Sequence, residues 1–152
     1  MNVIQPWETV ERCSTVIAET ITSRRLIFDL FVGIGTGGYI PLALVAKKLS
    51  ASATRIVNVR SFVGDRRGEV GVEYFPFTAG DLNGKKILLI DDIVASGMTM
   101  SFVKKRLTDN GAIVFTASLI VSSRMCPAWE YPDFWGEILS RGEDEFLVFP
   151  WD

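Results

Sequence analysis

The sequence predicts a single α/β domain over residues 1–152, with a mostly parallel central sheet flanked by helices. Short apolar runs alternate with segments of helical periodicity, which is the pattern of strand–helix–strand units. The runs are apolar almost throughout, as expected for strands that helices cover on both faces. A length of 152 residues suits one domain with one sizeable core.

The first element is a helix, because Val10, Cys13, Ile17 and Ile21 recur at helical spacing and Pro6 suits a helix start. Four apolar runs then predict the buried strands: "IFDLFVGI" from Ile27, "RIVNVRS" from Arg55, "KKILLI" from Lys85 and "AIVFTASLIV" from Ala112. One helix is predicted between the first two runs, opened by Pro41, and another between the last two, ending before Gly111.

Two stretches interrupt this alternation. Residues 62–84 are rich in glycine and charge around a short β-like "VGVEYFPF", which predicts a flexible hairpin flap. Residues 122–152 are dense in aromatic residues and proline and end in the strand-like "EFLVFPW", which predicts a small C-terminal hood. The aromatic side chains of Trp129, Tyr131, Phe134 and Trp135 are expected to form an apolar lid or a dimer surface, and Trp151 is expected to pack.

Composition excludes several classes of function. A formal net charge of −2 argues against a nucleic-acid surface. The absence of histidine excludes His-based nucleophile activation and His-type zinc sites. Cys13 and Cys126 lack metal-type spacing and are interpreted as thiols of a reducing compartment. Without a long apolar run or a basic leader, the chain is expected to be cytoplasmic and to make no membrane contact.

The segment "ILLIDDIVASGMTM" contains the strongest chemical signal. An apolar strand stops at Asp91 and Asp92, which predicts that both carboxylates reach a solvent-facing site at the carboxyl end of the strand. Small residues follow where a helix starts, and backbone N–H groups at such a place suit a phosphate. "GIGTGG" from Gly33 also matches a dinucleotide fingerprint, but "RIVNVRS" supplies no carboxylate for the ribose, so we reject that alternative.

The Asp-Asp segment resembles the phosphoribosyl pyrophosphate (PRPP) motif of type I phosphoribosyltransferases. "GIGTGGYIP" resembles the pyrophosphate loop of that family, "VRSFVGD" the start of its flexible loop, and "EFLVFPWD" the base-binding segment of its small microbial xanthine-guanine and hypoxanthine-guanine enzymes. The resemblance extends from about residue 27 to Asp152. It implies the type I phosphoribosyltransferase fold and Mg²⁺-dependent transfer of phosphoribose from PRPP to a purine base.

The resemblance also implies residue roles. Asp91 and Asp92 are the implied catalytic pair at the ribose, and both are implied metal ligands together with Asp152. The 5′-phosphate is assigned to Ala95, Ser96, Gly97, Met98 and Thr99. Pyrophosphate is assigned to Thr36, Gly37 and Gly38, and in the family the peptide before the position of Thr36 is often cis.

The base is assigned to Phe146 and Leu147, with Ser122 and Arg124 nearby, and Ser61 with Phe62 starts the flap. A homodimer or a higher homo-oligomer is expected.

Three positions depart from the 6-oxopurine enzymes. Ala95 replaces an aspartate, Thr36 replaces a lysine or arginine, and no lysine lies near Ser122, where only Arg124 can substitute. These departures leave two alternatives to purine salvage: a phosphoribosyltransferase for a different base, or a non-catalytic regulatory protein that binds PRPP or a nucleotide on the same fold.

Overall fold

The computed structural model describes residues 1–61, 69–140 and 145–152. In chain order the helices and strands are β1 (Asn2–Ile4), α1 (Trp7–Ser23), β2 (Leu30–Gly35), α2 (Tyr39–Lys48), β3 (Thr54–Ser61), β4 (Val70–Tyr74), β5 (Lys86–Val94), α3 (Met98–Asp109), β6 (Ile113–Ser122), β7 (Phe134–Leu139) and β8 (Phe146–Val148). A short 3-10 helix, Ala128–Glu130, precedes β7. The predicted α/β class is confirmed.

Within the described residues the central sheet has the strand order β4-β3-β2-β5-β6-β7. Only β4 is antiparallel to its neighbour, and the other strands pair in parallel. From β2 the chain crosses to β3 on one side, and it later returns to β5 on the other side. In an open sheet of this kind, ligands bind at the carboxyl ends of the strands where the order reverses. That position lies between β2 and β5.

Helices cover both faces of the sheet, which explains why its strands are apolar throughout. α1 and α2 bury Ile17, Ile21 and Val45 against one face. α3 buries Val103 and Leu107 against the other. The alternating residues of β5 divide between these two cores, with Leu88 and Ile90 in the first and Ile87 and Leu89 in the second.

The predicted hood divides into two parts. β7 pairs in parallel with β6, from Ala117 opposite Phe134 to Ser122 opposite Leu139, so it belongs to the central sheet. Phe134 is a core residue, which corrects its assignment to a lid. Only β8 lies outside, in a two-stranded parallel sheet with β1, a strand that the sequence did not predict.

The predicted flap also divides. β3 and β4 form an antiparallel pair, and residues 62–68, including Phe62, lie outside the described residues. After β4 the chain turns back into the protein, because Leu82 is buried and Phe75 and Phe77 pack against the same core. The second half of the stretch 62–84 is therefore part of the core, which corrects the predicted flap boundary.

Among the described residues, no helix is both long and apolar enough to span a membrane.

Candidate active site

The central sheet splits at the switch point between β2 and β5. Their pairing ends where Gly33 lies opposite Ile90, although β5 stays paired with β6 as far as Val94. The loop after β2 enters this split. A Cβ on Gly38 would lie 2.6 Å from the carbonyl oxygen of Ile34 and 2.7 Å from that of Ile90, so only glycine fits there.

Asp91 and Asp92 lie on β5 inside the split, and the strand continues beyond them to Val94. Both residues are half-buried, which corrects the expectation of solvent-facing acids at a strand end. Burial and the neighbouring Asp92 raise the pKa of Asp91 well above its ordinary value of 3.8. Burial also raises the pKa of Asp92, and repulsion from the Asp152 carboxylate adds to this effect. The pair therefore favours hydroxyl donors or positive charge beside it.

A cavity of about 270 Å³ lies next to the acids, lined by the residues from Asp91 to Gly97 together with Thr99 and Met100. α3 starts at its edge with Gly97 as the N-cap, and glycine has no side chain to cap the first N–H groups of the helix. Ser96 is exposed, and its Oγ accepts a hydrogen bond of 3.3 Å from the Met98 N–H. The arrangement is suited to an anion such as a phosphate.

The outer side of this loop packs against Glu130. Gly97 has a φ of +86°, and a Cβ on it would lie 2.8 Å from the Cβ of Glu130. The Glu130 carboxylate accepts a hydrogen bond of 2.5 Å from Ser101 Oγ in the first turns of α3. Sequence reasoning missed Glu130, because it is distant in the chain and no local pattern marks it.

The loop after β2 faces the acids directly. The peptide bond between Gly35 and Thr36 is cis, as the resemblance implied. A Cβ on Gly37 would lie 2.3 Å from Oδ2 of Asp92, so the backbone of Gly37 touches this carboxylate. Thr36 is exposed. The structure thus brings the residues predicted for pyrophosphate against those predicted for ribose.

The C-terminal residues reach the same acids. Oδ2 of Asp152 accepts a hydrogen bond of 2.8 Å from the Phe149 N–H, which closes a tight turn. The Trp151 ring stacks on Phe149 with centroids 4.8 Å apart. Trp151 Nε1 is buried and has no hydrogen-bond partner in the described parts of the chain, but it lies near enough to Asp92 to favour the ionised carboxylate. Trp151 therefore belongs to the site, although the sequence indicated packing alone.

No group of three or more His, Cys, Asp and Glu side chains is arranged to hold a metal ion within residues 1–61, 69–140 and 145–152. The three predicted metal ligands, Asp91, Asp92 and Asp152, thus form no complete site by themselves. Repulsion from Asp152 nevertheless contributes to the raised pKa of Asp92, so the two carboxylates lie within electrostatic range of each other. They are suited to share a cation whose other ligands come from a substrate.

The predicted base-binding residues are only partly assembled. Phe146 is 64% exposed and its ring is accessible for stacking. Phe146 N–H donates to Met1 O, and Val148 O accepts from Gln5 N–H. The backbone groups of Phe146 and Val148 are therefore directed towards β1 and the residues that flank it. Because these groups alternate sides along a strand, Leu147 directs its own N–H and C=O to the opposite edge.

Ser122 is fully buried, which corrects its assignment to the base. The N–H groups of Met125 and Cys126 donate to its carbonyl and close a turn over it, and its Oγ has no partner among the described residues. Arg124 lies in that turn and is exposed. For Ser61 the structure describes the backbone, which pairs with Val70.

Comparisons with known proteins agree with this fold. The family described as "Phosphoribosyl transferase domain" matches residues 7–134. The xanthine-guanine phosphoribosyltransferase of Gluconobacter oxydans (strain 621H) is 29% identical over 148 residues, which are 96% of this chain and 82% of that protein. The purine phosphoribosyltransferase from Pyrococcus horikoshii Ot3 has the same fold, with a TM-score of 0.82, 22% identity and coverage of 99% of this chain and 94% of that one. A hypothetical protein from Neisseria gonorrhoeae, solved with bound ppGpp, superposes with a TM-score of 0.78 and 25% identity over 100% of this chain and 89% of that one.

Proposed function

We propose, from the premise that this chain belongs to the phosphoribosyl transferase domain family and is a phosphoribosyltransferase, that it transfers phosphoribose from PRPP to a nitrogen of a purine base. Pyrophosphate is released and a nucleoside 5′-monophosphate is formed. The purine specificity follows the xanthine-guanine and purine phosphoribosyltransferases among its relatives.

The split between β2 and β5 is the observation that carries this proposal. Three parts of PRPP make three different demands, and three neighbouring parts of the site match them. The start of α3, whose N-cap Gly97 has no side chain, suits the 5′-phosphate, and Asp91 with Asp92 suits the ribose hydroxyls. The loop of Thr36, Gly37 and Gly38, which touches Asp92, suits the pyrophosphate.

Transfer requires the bond between the ribose and pyrophosphate to loosen, so positive charge develops on the ribose ring. Asp91 and Asp92 accept hydrogen bonds from the two ribose hydroxyls and stabilise that charge. The half-buried position of the acids strengthens this interaction, because little water screens it. If Mg²⁺ is bound, it would supply positive charge against the pyrophosphate. Asp92 and Asp152 are the carboxylates that would hold the ion, since their mutual repulsion is relieved by a cation.

The base is held by the C-terminal segment. Phe146 stacks on the purine ring, and Leu147 presents one backbone donor and one backbone acceptor to its edge. Arg124 is the exposed cation in the turn beside β6 and is suited to a 6-oxo group. Ser122 is left out of this proposal because it is buried.

A second candidate function has its own support. Ala95 offers no acid to handle a proton of the incoming base, and the relative from Neisseria gonorrhoeae carries bound ppGpp. A nucleotide-binding regulatory protein, or a transferase for a different base, would fit both facts. A regulatory protein would differ from the purine transferase in lacking turnover, and a transferase for a different base would differ in which base is turned over.

The decisive experiment measures pyrophosphate release from PRPP and Mg²⁺ with guanine, hypoxanthine, xanthine, adenine and uracil in turn. Purine salvage predicts turnover with at least one purine and none with the variant Asp91→Asn/Asp92→Asn. Binding of PRPP without turnover on any base would support the regulatory alternative. Absence of PRPP binding would refute the site assignment itself. The expected homo-oligomer is tested in the same preparation by light scattering.

A further inference from the structure

Tyr39 and Asn58 meet over the first residue of the loop assigned to pyrophosphate. Tyr39 is the first residue of α2 and Asn58 lies on β3, opposite Gly35 of β2. The Tyr39 hydroxyl donates a short hydrogen bond to Oδ1 of Asn58. Both side chains are half-buried.

This pair leaves no free space above Gly35. A Cβ on Gly35 would lie 2.0 Å from Oδ1 of Asn58 and 2.3 Å from the Tyr39 hydroxyl. Tyr39 also donates its backbone N–H to the carbonyl of Thr36, at 3.1 Å. One residue therefore restrains the loop twice, at Thr36 through its backbone and at Gly35 through its side chain.

The hydrogen bond between Tyr39 and Asn58 thus connects α2 to β3 over Gly35, where the loop turns towards Asp92. Since Gly37 touches Oδ2 of Asp92, a small displacement of Gly35 and Thr36 would move the loop relative to the acids. The fixed position of donor groups relative to a ligand decides how strongly they bind it.

We infer that Tyr39 and Asn58 are positioning residues for the pyrophosphate moiety, and this inference rests on the proposed function of the loop. They set the affinity for PRPP and for free pyrophosphate. They leave the affinity for a nucleoside 5′-monophosphate unchanged, because that ligand carries no pyrophosphate.

The test compares dissociation constants measured by calorimetry with Mg²⁺ for PRPP, pyrophosphate and GMP. Tyr39→Phe should weaken PRPP and pyrophosphate about three- to tenfold, the effect of one lost hydrogen bond, and should change GMP less than twofold. Tyr131→Phe is the matched control, because it also removes the hydroxyl of a half-buried tyrosine. Tyr131 packs edge-on against Trp135, whereas Tyr39 contacts Asn58 and Gly35. The control should change none of the three constants.

A second variant covers the case in which Tyr39→Phe does not fold. Tyr39→Phe/Asn58→Leu replaces both partners by apolar groups, a change that is often nearly neutral for stability, and it should show the same selective loss. Equal weakening of GMP and PRPP would indicate a general structural role and overturn the inference, as would unchanged pyrophosphate affinity in a folded variant. If the wild type binds neither PRPP nor pyrophosphate, both the proposed function and this inference fail. If the wild type binds both and the variants match it, only the inference fails.

Discussion

Replacing Gly37 by alanine is expected to lower kcat about a hundredfold while the protein stays folded. The new Cβ would lie 2.3 Å from Oδ2 and 2.7 Å from Cγ of Asp92. Gly37 does not adopt a positive φ, so alanine meets no backbone strain there. The substitution therefore acts on the carboxylate of Asp92 and on little else.

The distances set the size of the effect. Ordinary contact begins at 3.4 Å, so Oδ2 of Asp92 must retreat by about 1 Å from a Cβ placed at 2.3 Å. A misplacement of about 1 Å can lower the rate about 10²-fold. That factor corresponds to about 2.7 kcal/mol of lost transition-state stabilisation.

The assay is steady-state pyrophosphate release with saturating PRPP and the best base of the panel, repeated in the background Asp92→Ala. If the methyl group acts through the carboxylate, Gly37→Ala should cost little more once the carboxylate is gone. A hundredfold loss in both backgrounds would show that the methyl group obstructs pyrophosphate directly, and this result would refute the reasoning. Full activity of Gly37→Ala would refute the contact itself.

Three other substitutions test separate parts of the site. Asp91→Asn should abolish turnover yet raise the melting temperature of the ligand-free protein at neutral pH. Because the pKa of Asp91 is raised in the folded protein, the wild type loses stability as the pH rises from 3.8, the ordinary pKa of this group, through the raised pKa. Asparagine does not titrate, so the variant does not lose this stability. Ala95→Asp should raise turnover of 6-oxopurines about 10²-fold or more if a missing acid limits the reaction, with PRPP affinity nearly unchanged. Val3→Pro should raise KM for the base at least several-fold and leave PRPP binding unchanged, because proline removes an N–H on the side of β1 that pairs with β8.

Each of these expectations has a control. The melting temperatures of Asp91→Asn and of the wild type should converge well below pH 3.8, where Asp91 is protonated in both the folded and the unfolded protein, and a difference that does not depend on pH would contradict the linkage. Wild-type turnover of guanine that Ala95→Asp does not improve would show that the proton is handled elsewhere. Ile4→Pro is matched to Val3→Pro, since the N–H of Ile4 faces away from β8, and equal effects of the two variants would show that the hydrogen bonds between β1 and β8 do not set the KM for the base.

The α/β class and the segment of acids and small residues at the end of β5 could be predicted because they are encoded locally. Asp91, Asp92, Gly97 and the small residues between them occupy one strand and the helix start that follows it. Strand, acids and turn must coincide in a single short segment, so periodicity and turn chemistry identify them together.

The remaining parts depend on contacts between distant segments. Glu130 contacts Gly97 from the 3-10 helix that precedes β7, and Trp151 lies close to Asp92 in the last turn of the described chain. β7 was included in the hood because its stretch is dense in aromatic residues and proline. The mixed polarity of "FWGEIL" shows no strand period, as suits a sheet-edge strand whose burial alternates only in part. β1 has three residues, too few for any period to be visible.

The pairing of β1 with β8 joins residues about 140 positions apart in the chain. Closing so long a loop costs conformational entropy, and each strand contributes only three residues in return. The residues proposed to bind PRPP, by contrast, lie mainly between residues 33 and 100 and are supported by the core. We therefore expect the base-binding segment to be completed late in folding and to open first in the native protein. Amide hydrogen exchange should be fast at Val148 and slow at Ile90. Under the proposed function, the protein would then hold PRPP in an already formed site while the segment proposed to receive the base still opens and closes.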